Sequence, residues 1–554
     1  MTPDFASRTA AQVLVDQLRI QGVQRVFCVP GESYLAVLDA LKDSGIEVIV
    51  CRNEGGASMM AEAHGKATGR PGICFVTRGP GATNASGGIH IAQQDSTPMI
   101  LFAGQVESTN RGRGAFQELD FCAVFGSMTK FTAEIDDPDR MAEYVSRGFA
   151  EAMRGRPGPV VLALPHDMLS RNSAASDGAY VDEAEIAPAA KQMAELQDLL
   201  AKSQRPMLLL GGSRWDQQAC DAMMAFAKSF GIPVATGFRR AHLFDATHPN
   251  YAGDLGLGAN PKLVARFRQS DLVIVAGGRP NELTSQGYTL FDLPQPQMKT
   301  VHLYPGAEEI GRVWRPHLGI HASPRAFAPA LAALIPAQGR DVSQARQEYI
   351  DWSETPTPQP GAVNLSEIMI WLRGHLPPDA MLTNGAGNYA AWIHRFYRFR
   401  RFGTQVAPIS GFMGYGLPAA LAMKSLYPAR PVIVLAGDGD FLMTGQEFAT
   451  AMQYGLPVIV IVYDNGCYGT IRMHQEREYP GRVSGTDLRN PDFAAMARSF
   501  GGFGAAVEKT QDFAPAFLAA QASGQPSIIH VKYDAEGITP ATTLMAIRDK
   551  ALKG

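Results

Sequence analysis

A chain of 554 residues is too long for one compact domain, and at about 100–200 residues per domain it predicts three or four. Lys and Arg number 50 against 53 Asp and Glu, for a formal net charge of −3 without a basic tract. This balance gives no electrostatic reason to expect nucleic acid or an anionic membrane surface as a partner. We therefore expect the partners to be small molecules.

The cysteines and the apolar runs set the expected compartment. No two of the six cysteines stand in a C-x-x-C spacing, so neither a disulfide framework nor a zinc site is predicted. The apolar runs have the length of strands, well short of the roughly 18 residues that a membrane span needs. Residues 1–18 place charged side chains among apolar ones, which favours an amphipathic helix over a signal peptide. We expect a cytoplasmic protein.

Short runs of Val, Ile, Leu and Phe alternate with helix-like stretches along the chain, and nearly every run stops at a glycine turn. Examples lie at 26–33, 73–84, 99–105, 207–213, 272–280 and 432–440. Continuous apolar strands that alternate with helices are typical of parallel sheets covered on both faces. The predicted fold class is α/β, with doubly wound parallel sheets. Ligands of such sheets bind at the carboxyl ends of the strands, where the glycine turns stand.

Two polar stretches rich in Pro, Ser and Gly, at 170–191 and 337–362, interrupt the alternation and have the composition of linkers. They predict three domains of ordinary size. The predicted boundaries are 1–172, 190–336 and 361–554.

The strongest local pattern spans residues 430–469 and predicts one strand–helix–strand unit. Thr444 and Glu447 match a T-x-x-E capping box, which predicts the start of a helix of about three turns, ended by Gly455 and Pro457. The flanking runs predict strands over 431–436 and 458–463, followed by Gly437-Asp438-Gly439 and by Asp464-Asn465-Gly466.

Asp438 and Asn465 are 27 residues apart, one after each predicted strand. A right-handed crossover brings both to the same end of nearby parallel strands. A carboxylate and an amide oxygen there, among glycines that let backbone N–H groups approach, form a hard oxygen site for Mg²⁺ that carries a diphosphate. Either motif alone would be an ordinary turn, but their combination predicts a site. A P-loop and a dinucleotide fingerprint are both excluded by the missing G-K-[ST] and G-x-G-x-x-G patterns.

The GDG turn at 437–439, followed 27 residues after Asp438 by Asn465, resembles the motif of thiamin-diphosphate enzymes. The whole chain resembles their acetohydroxyacid synthase (acetolactate synthase) branch. The ordered matches are PGES (30–33), RNEGGASMMAEAHGKATGRPG (52–72), TRGPGATN (77–84), DSTPMILFAGQV (95–106), GAFQELD (114–120), GRPGPVVLALPHD (155–167), MGYGLPAA (413–420) and NPDFAAMARSFG (490–501). The resemblance implies a pyrimidine-binding domain, a middle domain and a diphosphate-binding domain, in agreement with the three predicted from the linkers.

The resemblance implies thiamin diphosphate and Mg²⁺ as cofactors, with the metal held by Asp438, Asn465 and the main-chain carbonyl of Cys467. Glu54 matches the glutamate that activates the aminopyrimidine ring. Met413 matches the apolar wedge that bends the cofactor, and the carbonyl of Gly411 matches an acceptor for the pyrimidine amino group. Further cofactor contacts are implied at Asn388, Tyr389, Gly437, Gly439, Asp440, Tyr468 and Gly469.

The resemblance also bears on the reaction that follows decarboxylation of a 2-oxo acid. Phe116 and Gln117 match the pocket of the carboligating branch, whereas the chain has no His-His pair to serve as proton donor. Ligation to a carbonyl acceptor is therefore favoured. The match fails at three positions: His474 replaces a tryptophan, Leu283 replaces an arginine, and Glu32 enters a Gly-Gly-Ala loop. The sequence therefore leaves open whether the acceptor is a second 2-oxo acid or an aldehyde. It also leaves open whether the donor is a bulkier molecule.

The middle domain of this branch often holds FAD. Tyr304 and Gly306 stand where acidic ribose-side residues are expected, so a middle domain that only packs is the preferred interpretation, with FAD as the alternative. Active sites of this family form between subunits, which implies a homodimer or homotetramer.

The leading hypothesis is a thiamin-diphosphate- and Mg²⁺-dependent 2-oxo acid decarboxylase and carboligase of acetolactate synthase type. The alternatives are a non-ligating decarboxylase of the benzoylformate type, a flavin-linked 2-oxo acid oxidase, and a non-catalytic cofactor-binding relative. Glu54 argues against the last, because an inactive relative has no need of the activating carboxylate.

Overall fold

The structure of the chain, a computed structural model, describes residues 8–336 and 339–553. Over these residues it contains three six-stranded parallel sheets, flanked by helices, and one two-stranded antiparallel pair. The predicted α/β class with three parallel-sheet domains is confirmed. The boundaries at 172, 190, 336 and 361 stay a prediction, and positions 1–7 of the predicted N-terminal helix lie outside the described residues.

The N-terminal part contributes the first sheet and the antiparallel pair. Its strands are β1 (Arg8–Thr9), β2 (Arg25–Cys28), β3 (Glu47–Val50), β4 (Gly72–Val76), β5 (Met99–Gln105), β6 (Phe131–Glu134), β7 (Pro159–Pro165) and β8 (Asn172–Ser173). β1 pairs with β8, and the other six form the order β3-β2-β4-β5-β7-β6.

The second sheet has the strands β9 (Pro206–Leu210), β10 (Val234–Thr236), β11 (Tyr251–Asp254), β12 (Leu272–Ala276), β13 (Lys299–Tyr304) and β14 (Leu318–His321). Their order is β11-β10-β9-β12-β13-β14, so the winding reverses between β9 and β12.

The third sheet has the strands β15 (Met381–Asn384), β16 (Gln405–Val406), β17 (Val432–Gly437), β18 (Ile459–Asp464), β19 (Phe503–Val507) and β20 (Ser527–Lys532). Their order is β16-β15-β17-β18-β20-β19. β17 and β18 are the two strands predicted around the GDG and DNG turns, each shifted by one residue, and they are direct neighbours.

Helices cover these sheets. They are α1 (Ala10–Ile20), α2 (Leu35–Lys42), α3 (Glu54–Thr68), α4 (Gly79–Asn84), α5 (Ser86–Asp95), α6 (Phe121–Phe125), α7 (Met141–Met153), α8 (His166–Leu169), α9 (Ala190–Lys202), α10 (Gln217–Phe230), α11 (Pro261–Gln269), α12 (Pro324–Ala332), α13 (Ser343–Ser353), α14 (Leu365–His375), α15 (Ala390–Phe396), α16 (Gly416–Leu426), α17 (Asp438–Phe441), α18 (Phe448–Gln453), α19 (Gly469–Glu478), α20 (Phe493–Ser499), α21 (Phe513–Ser523) and α22 (Leu544–Lys553). Within 8–336 and 339–553, none of them combines the length and the apolar character needed to cross a membrane.

The described chain packs as two compact units. The first unit comprises residues 8–184, 417–428 and 444–456, and it holds the first sheet. The second unit comprises the described residues of 185–416, 429–443 and 457–554, and it holds the second and third sheets.

The central strands are buried throughout their length. All seven residues of β5 and all seven of β7 are buried, as expected for parallel strands covered by helices on both faces. The helix α3 packs so closely on β4 that a Cβ atom at Gly72 would lie 1.8 Å from the carbonyl oxygen of Ala61. Only glycine fits at that position.

A carboxyl–imidazole pair is buried in the second unit. Asp254 ends β11, and its Oδ2 lies 3.8 Å from Nδ1 of His394 on α15. Burial raises the pKa of Asp254 to about 7, while burial and the nearby Arg239 guanidinium lower the pKa of His394 to about 3. Both groups are therefore held close to their neutral forms.

We expect Gly72→Ala to lower the free energy of unfolding by about 1–3 kcal/mol, because the added methyl forces α3 away from β4. Thermal unfolding followed by circular dichroism measures the loss. Gly374→Ala is the matched control, since Gly374 is exposed on α14 with open space around it and the change should be neutral or slightly stabilising. Equal melting temperatures for the two variants would contradict the packing.

We expect Asp254→Asn to gain stability over the wild type as pH rises. The folded chain holds the Asp254 proton up to about pH 7, whereas the unfolded chain releases it near pH 4, so ionisation penalises only the wild-type fold over that interval. Melting temperatures at about pH 5 and about pH 8 give the comparison. Asp198→Asn, on the exposed side of α9, should show no such trend, and the same trend in both variants would contradict the assignment.

Candidate functional site

Twelve residues predicted to contact a cofactor lie in the second unit, and all twelve line one cavity of about 360 Å³. They are Asn388, Tyr389, Gly411, Met413, Gly437, Asp438, Gly439, Asp440, Asn465, Cys467, Tyr468 and Gly469. These residues follow β15, β16, β17 and β18, which are contiguous in the third sheet. Because parallel strands end at one edge of a sheet, the topology gathers segments that are distant in sequence.

The predicted metal ligands share one end of this cavity. Asp438 is the first residue of α17 and is only 4% exposed. Its Oδ1 accepts from the Gly439 N–H at 2.9 Å and its Oδ2 from the Gly466 N–H at 3.0 Å. Oδ1 of Asn465 accepts from the N–H of Cys467 at 3.3 Å, which fixes the turn that presents the amide. Burial and the neighbouring Asp464 carboxylate raise the pKa of Asp438 above the usual range of an aspartate.

A second carboxylate, that of Asp464, stands beside Asp438. The Asn490 amide lies 2.7 Å from Oδ2 of Asp438 and 2.8 Å from Oδ1 of Asp464, so one donor serves both. Burial opposes ionisation of Asp464, but hydrogen bonds from His530 and Asn490 outweigh it and lower its pKa below the usual range of an aspartate. Two adjacent carboxylates give this end of the cavity a negative charge that suits a divalent cation.

Sequence reasoning did not assign a role to Asp464, Asn490 or His530. Asp464 stands within the DNG turn and Asn490 within a matched segment, so both carried a signal. His530 comes from β20, and only the pairing of β18 with β20 shows its proximity. In the part of the chain that the structure describes, no group of three or more His, Cys, Asp and Glu side chains is placed to hold a metal. The predicted ligand set uses only one such side chain, Asp438.

Asp440 directs its carboxylate into the protein. It is 3% exposed and accepts from the N–H groups of Gly414 at 2.7 Å and Ala386 at 3.2 Å, and from the Tyr389 hydroxyl at 2.6 Å. Burial raises the pKa of Asp440 to about 6 against these hydrogen bonds. The carboxylate thus joins two loops that line the cavity, the one after β15 and the one after β16.

Arg239 holds the same two loops from their carbonyl side. Its guanidinium donates to the carbonyl of Pro408 at 2.5 Å and to that of Gly385 at 2.6 Å. The residue follows β10 in the second sheet, is 3% exposed, and has a φ of +57°, which is unusual for a residue with a side chain. No pattern in the sequence indicated this role.

Apolar side chains line part of the remaining wall of the cavity. They are Phe238, Leu257, Leu283 and Ile471. Leu283, which replaces an arginine of the family, is thus one of the residues of the cavity wall. Ser410 also lines the cavity, and its buried Oγ has no hydrogen-bond partner among residues 8–336 and 339–553. An unsatisfied hydroxyl at such a wall indicates that a ligand or water completes it.

His474 does not line this cavity. It lies on α19, where it is exposed, although Tyr468, Gly469 and Ile471 of the same segment do line the cavity. We predict a catalytic role for His474 because it stands in place of the family's tryptophan, and that role stays a prediction.

Glu54 lies in the first unit, as the first residue of α3, at the carboxyl end of β3. Asn53 caps the helix, because its Oδ1 accepts from the N–H of Gly55 at 2.8 Å. Oε2 of Glu54 accepts from the amide of Asn84 at 3.0 Å, while Oε1 would lie 3.3 Å from a Cβ at Gly81. The carboxylate is thus held at one oxygen in a half-buried position.

Phe116 and Gln117 lie in a tight loop of the first unit. Gln117 has a φ of +65°, and its carbonyl accepts from the N–H of Gly79 at 3.0 Å. The Glu118 carboxylate closes the loop by accepting from the N–H groups of Gly112 at 2.6 Å and Ala115 at 3.0 Å. The Phe116 ring is 74% exposed as a result. Strain and exposure of this kind are common at functional sites.

Glu32 is exposed, and its Oε1 lies 3.5 Å from the Arg78 guanidinium at the start of α4. Glu32 is the residue that enters the Gly-Gly-Ala loop of the family. The structure places Glu32 at the carboxyl end of β2, at the same sheet edge as Glu54.

Two glycine turns meet where the winding of the second sheet reverses. A Cβ at Gly212 would lie 1.6 Å from the carbonyl oxygen of Gly277, and one at Gly211 would lie 3.1 Å from Cα of Gly278. The Trp215 indole N–H donates to the carbonyl of Gly211 at 2.7 Å. Protein atoms therefore pack at the point where a nucleotide commonly binds in such sheets.

The predicted capping box at Thr444 and Glu447 is wrong. Thr444 makes no side-chain capping bond, residues Gly445–Glu447 form a 3₁₀ turn, and α18 begins only at Phe448. The helix is accordingly shorter than the three turns expected. The carboxylate of Glu447 instead accepts from backbone N–H groups of residues 52 and 53.

Family profiles match three parts of the chain. Residues 8–124 match the thiamine pyrophosphate enzyme N-terminal TPP binding domain, residues 193–331 match the central domain, and residues 385–531 match the C-terminal TPP binding domain.

Curated relatives extend the similarity to nearly the whole chain. The acetolactate synthase isozyme 2 large subunit of Escherichia coli is 30% identical over 527 residues, which cover 95% of this chain and 95% of that protein. The acetolactate synthase large subunit of Parasynechococcus marenigrum is 31% identical, covering 94% and 87%. The probable acetolactate synthase large subunit of Methanocaldococcus jannaschii is 30% identical, covering 89% and 86%. The chain therefore belongs to the thiamine pyrophosphate enzyme family, in its acetolactate synthase-like branch.

Proposed function

We propose that this protein is a thiamin-diphosphate- and Mg²⁺-dependent 2-oxo acid decarboxylase and carboligase of acetolactate synthase type. The observation that carries the proposal is the cavity of the second unit, where twelve residues singled out from sequence converge. The names of the relatives, acetolactate synthases, support the same reaction type.

The residues of the cavity fit a metal-bound diphosphate. Asp438, Asn465 and the carbonyl of Cys467 would supply oxygen ligands to Mg²⁺, and the adjacent Asp464 adds negative charge. Gly437, Gly439 and Gly469 leave no room for side chains, because a Cβ at Gly439 would lie 2.6 Å from the Tyr468 ring and one at Gly469 would lie 2.8 Å from Ile538. The backbone is therefore the surface offered to the phosphates. When bound, thiamin diphosphate supplies the carbon nucleophile and the electron sink for loss of CO₂.

Asp440 would position the cofactor indirectly, by holding the backbone of two loops that line the cavity. Because its carboxylate is occupied by three protein donors, it fixes the loops of Asn388 and Gly411 and does not face the phosphates with its charge. Met413, in the second of these loops, would form the apolar wedge between the two rings, and the Gly411 carbonyl would accept from the pyrimidine amino group.

Glu54 would hold a proton against the pyrimidine ring. Asn84 occupies its Oε2, so Oε1 is the oxygen that Glu54 presents to a ring nitrogen. Phe116 and Gln117, at the same edge of the first sheet, would line the acceptor pocket. Since the sites of this family form between subunits, we further propose a homodimer or homotetramer, in the cytoplasm.

The apolar wall of the cavity favours an acceptor without a carboxylate. Phe238, Leu257 and Leu283 offer dispersion contacts to a hydrocarbon group and no hydrogen-bond donor to an anion, and the Arg239 guanidinium of the same cavity already donates to the carbonyls of Pro408 and Gly385. An aldehyde is the simplest such acceptor. The packed glycine turns of the second sheet favour a middle domain without flavin, and a flavin band in the absorbance spectrum of the purified protein would contradict that part of the proposal.

We expect Glu54→Gln to lower turnover by about a hundred-fold or more, because the amide cannot exchange a proton with the ring. CO₂ release and ligation products from a panel of 2-oxo acids, with and without aldehydes, measure the effect. Glu143→Gln on the exposed face of α7 is the control. Absence of CO₂ release with every 2-oxo acid would overturn the proposed function, and full activity of the Gln variant would overturn the role of Glu54.

We expect Asp440→Asn to weaken thiamin diphosphate binding by about ten-fold, since loss of a charged acceptor for buried donors costs roughly 1–3 kcal/mol. Titration calorimetry in the presence of Mg²⁺ measures the affinity. Asp198→Asn serves as the exposed control. An unchanged dissociation constant would show that the two loops keep their positions without this carboxylate.

A further inference from the structure

We propose that Glu447 is a positioning residue for Glu54: its buried carboxylate sets the turn from which Glu54 starts α3. The inference rests on the proposed function, because it concerns the carboxylate that activates the cofactor. The capping box that the sequence predicted at Glu447 does not form, so the Glu447 carboxylate makes other hydrogen bonds.

The contacts of Glu447 converge on the two residues before Glu54. Oε1 accepts from the N–H of Asn53 at 2.9 Å, and both oxygens lie within 3.2 Å of the N–H of Arg52. The hydroxyl of Thr450 donates to Oε2 at 2.6 Å. The Glu447 side chain is fully buried, and burial raises its pKa against these hydrogen bonds.

The geometry excludes a side chain at the second residue after Glu54. A Cβ at Gly56 would lie 2.5 Å from Oε1 of Glu447 and 2.7 Å from Cδ. The carboxylate that packs against Gly56 thus explains why this position carries no side chain. A side chain at position 56 would require a shift of the Glu447 carboxylate or of the helix start.

Two further side chains after Glu447, those of Gln453 and Tyr454, bind residues 48–52, which lead to Glu54. The Tyr454 hydroxyl accepts from the N–H of Val50 at 2.7 Å and donates to the carbonyl of Val48 at 3.1 Å. The Gln453 amide oxygen accepts from the Arg52 guanidinium at 2.6 Å. The segment 447–454 therefore anchors the end of β3 and the turn into α3 at three places.

This segment is also the crossover between β17 and β18. Asp438 precedes Glu447 by nine residues, and Asn465 follows it by 18. One stretch of chain thus connects the proposed metal ligands covalently and holds the turn of the proposed activator. Displacement of Glu447 would misorient Glu54 while leaving the ligands of the metal in place.

The variants Glu447→Gln and Glu447→Asp test the inference, with Glu62→Gln as the matched control. Glu62 is another fully buried glutamate of the first unit, paired with Thr97 and Lys66, away from the turn. Gln removes the charge from the N–H groups, and Asp keeps the charge but shortens the reach by one methylene. If Gln prevents folding, the milder Asp variant still decides.

Amide hydrogen exchange of the cofactor-free protein provides the first measurement. We expect peptides that contain residues 50–56 to exchange about ten-fold faster in the Glu447 variants, because the carboxylate no longer accepts from the Arg52 and Asn53 N–H groups. Glu62→Gln should leave this stretch at the wild-type rate. Equal rates in the Glu447 variants and the control would overturn the inference.

Hydrogen–deuterium exchange at C2 of bound thiamin diphosphate provides the second. We expect Glu447→Gln to slow it about ten-fold while the dissociation constant of the cofactor changes by less than about two-fold, and Glu54→Gln/Glu447→Gln to be no slower than Glu54→Gln alone. If the double variant slows C2 exchange by the product of the two single effects, the inference is overturned. Slow exchange in Glu54→Gln with a wild-type rate in Glu447→Gln would also overturn it and spare the proposed function. A wild-type rate in Glu54→Gln itself would overturn both.

Discussion

Buried carboxylates require donors, and this requirement organises the candidate site. Between Asp438 and Glu447 the chain buries three acidic side chains, each less than 5% exposed. Asp438 collects the N–H of Gly466 and the amide of Asn490, Asp440 collects two N–H groups and a tyrosine hydroxyl, and Glu447 collects two N–H groups and a threonine hydroxyl. Each set includes a backbone N–H from a loop that carries predicted site residues. The cost of leaving a buried charge unpaired thus fixes those loops.

Parallel-sheet topology decides which loops these carboxylates can reach. In the third sheet the contiguous strands β16, β15, β17 and β18 end at one edge, so four loops distant in sequence surround one cavity. The second sheet adds Phe238, Arg239 and Leu283 to the same cavity. Arg239 and Asp440 bind the same two loops. Arg239 donates to their carbonyls, and Asp440 accepts from their N–H groups. Because the Arg239 guanidinium and the Asp440 carboxylate both make charge-assisted hydrogen bonds to the backbone, we expect the loops after β15 and β16 to be rigid.

The sequence predicted the features that depend on local order. Alternation of apolar runs with helices gave the α/β class, and the GDG and DNG turns were placed within one residue of the ends of β17 and β18. It could not predict contacts made by long side chains across the fold. Glu447 matched a capping box by spacing alone, yet its carboxylate has a better set of donors 394 and 395 residues away. The roles of Arg239 and His530 likewise depend on which strands are neighbours, which no local pattern states.

We propose that the cavity holds a diphosphate through a divalent metal at Asp438 and Asn465, and the decisive experiment is calorimetric titration of metal-free protein with thiamin diphosphate. We expect saturable binding when Mg²⁺ is present, a large loss of affinity when a chelator replaces it, and a loss of about ten-fold or more in Asp438→Asn with Mg²⁺ present. The same affinity in the presence of a chelator, or unchanged binding by Asp438→Asn, would contradict it.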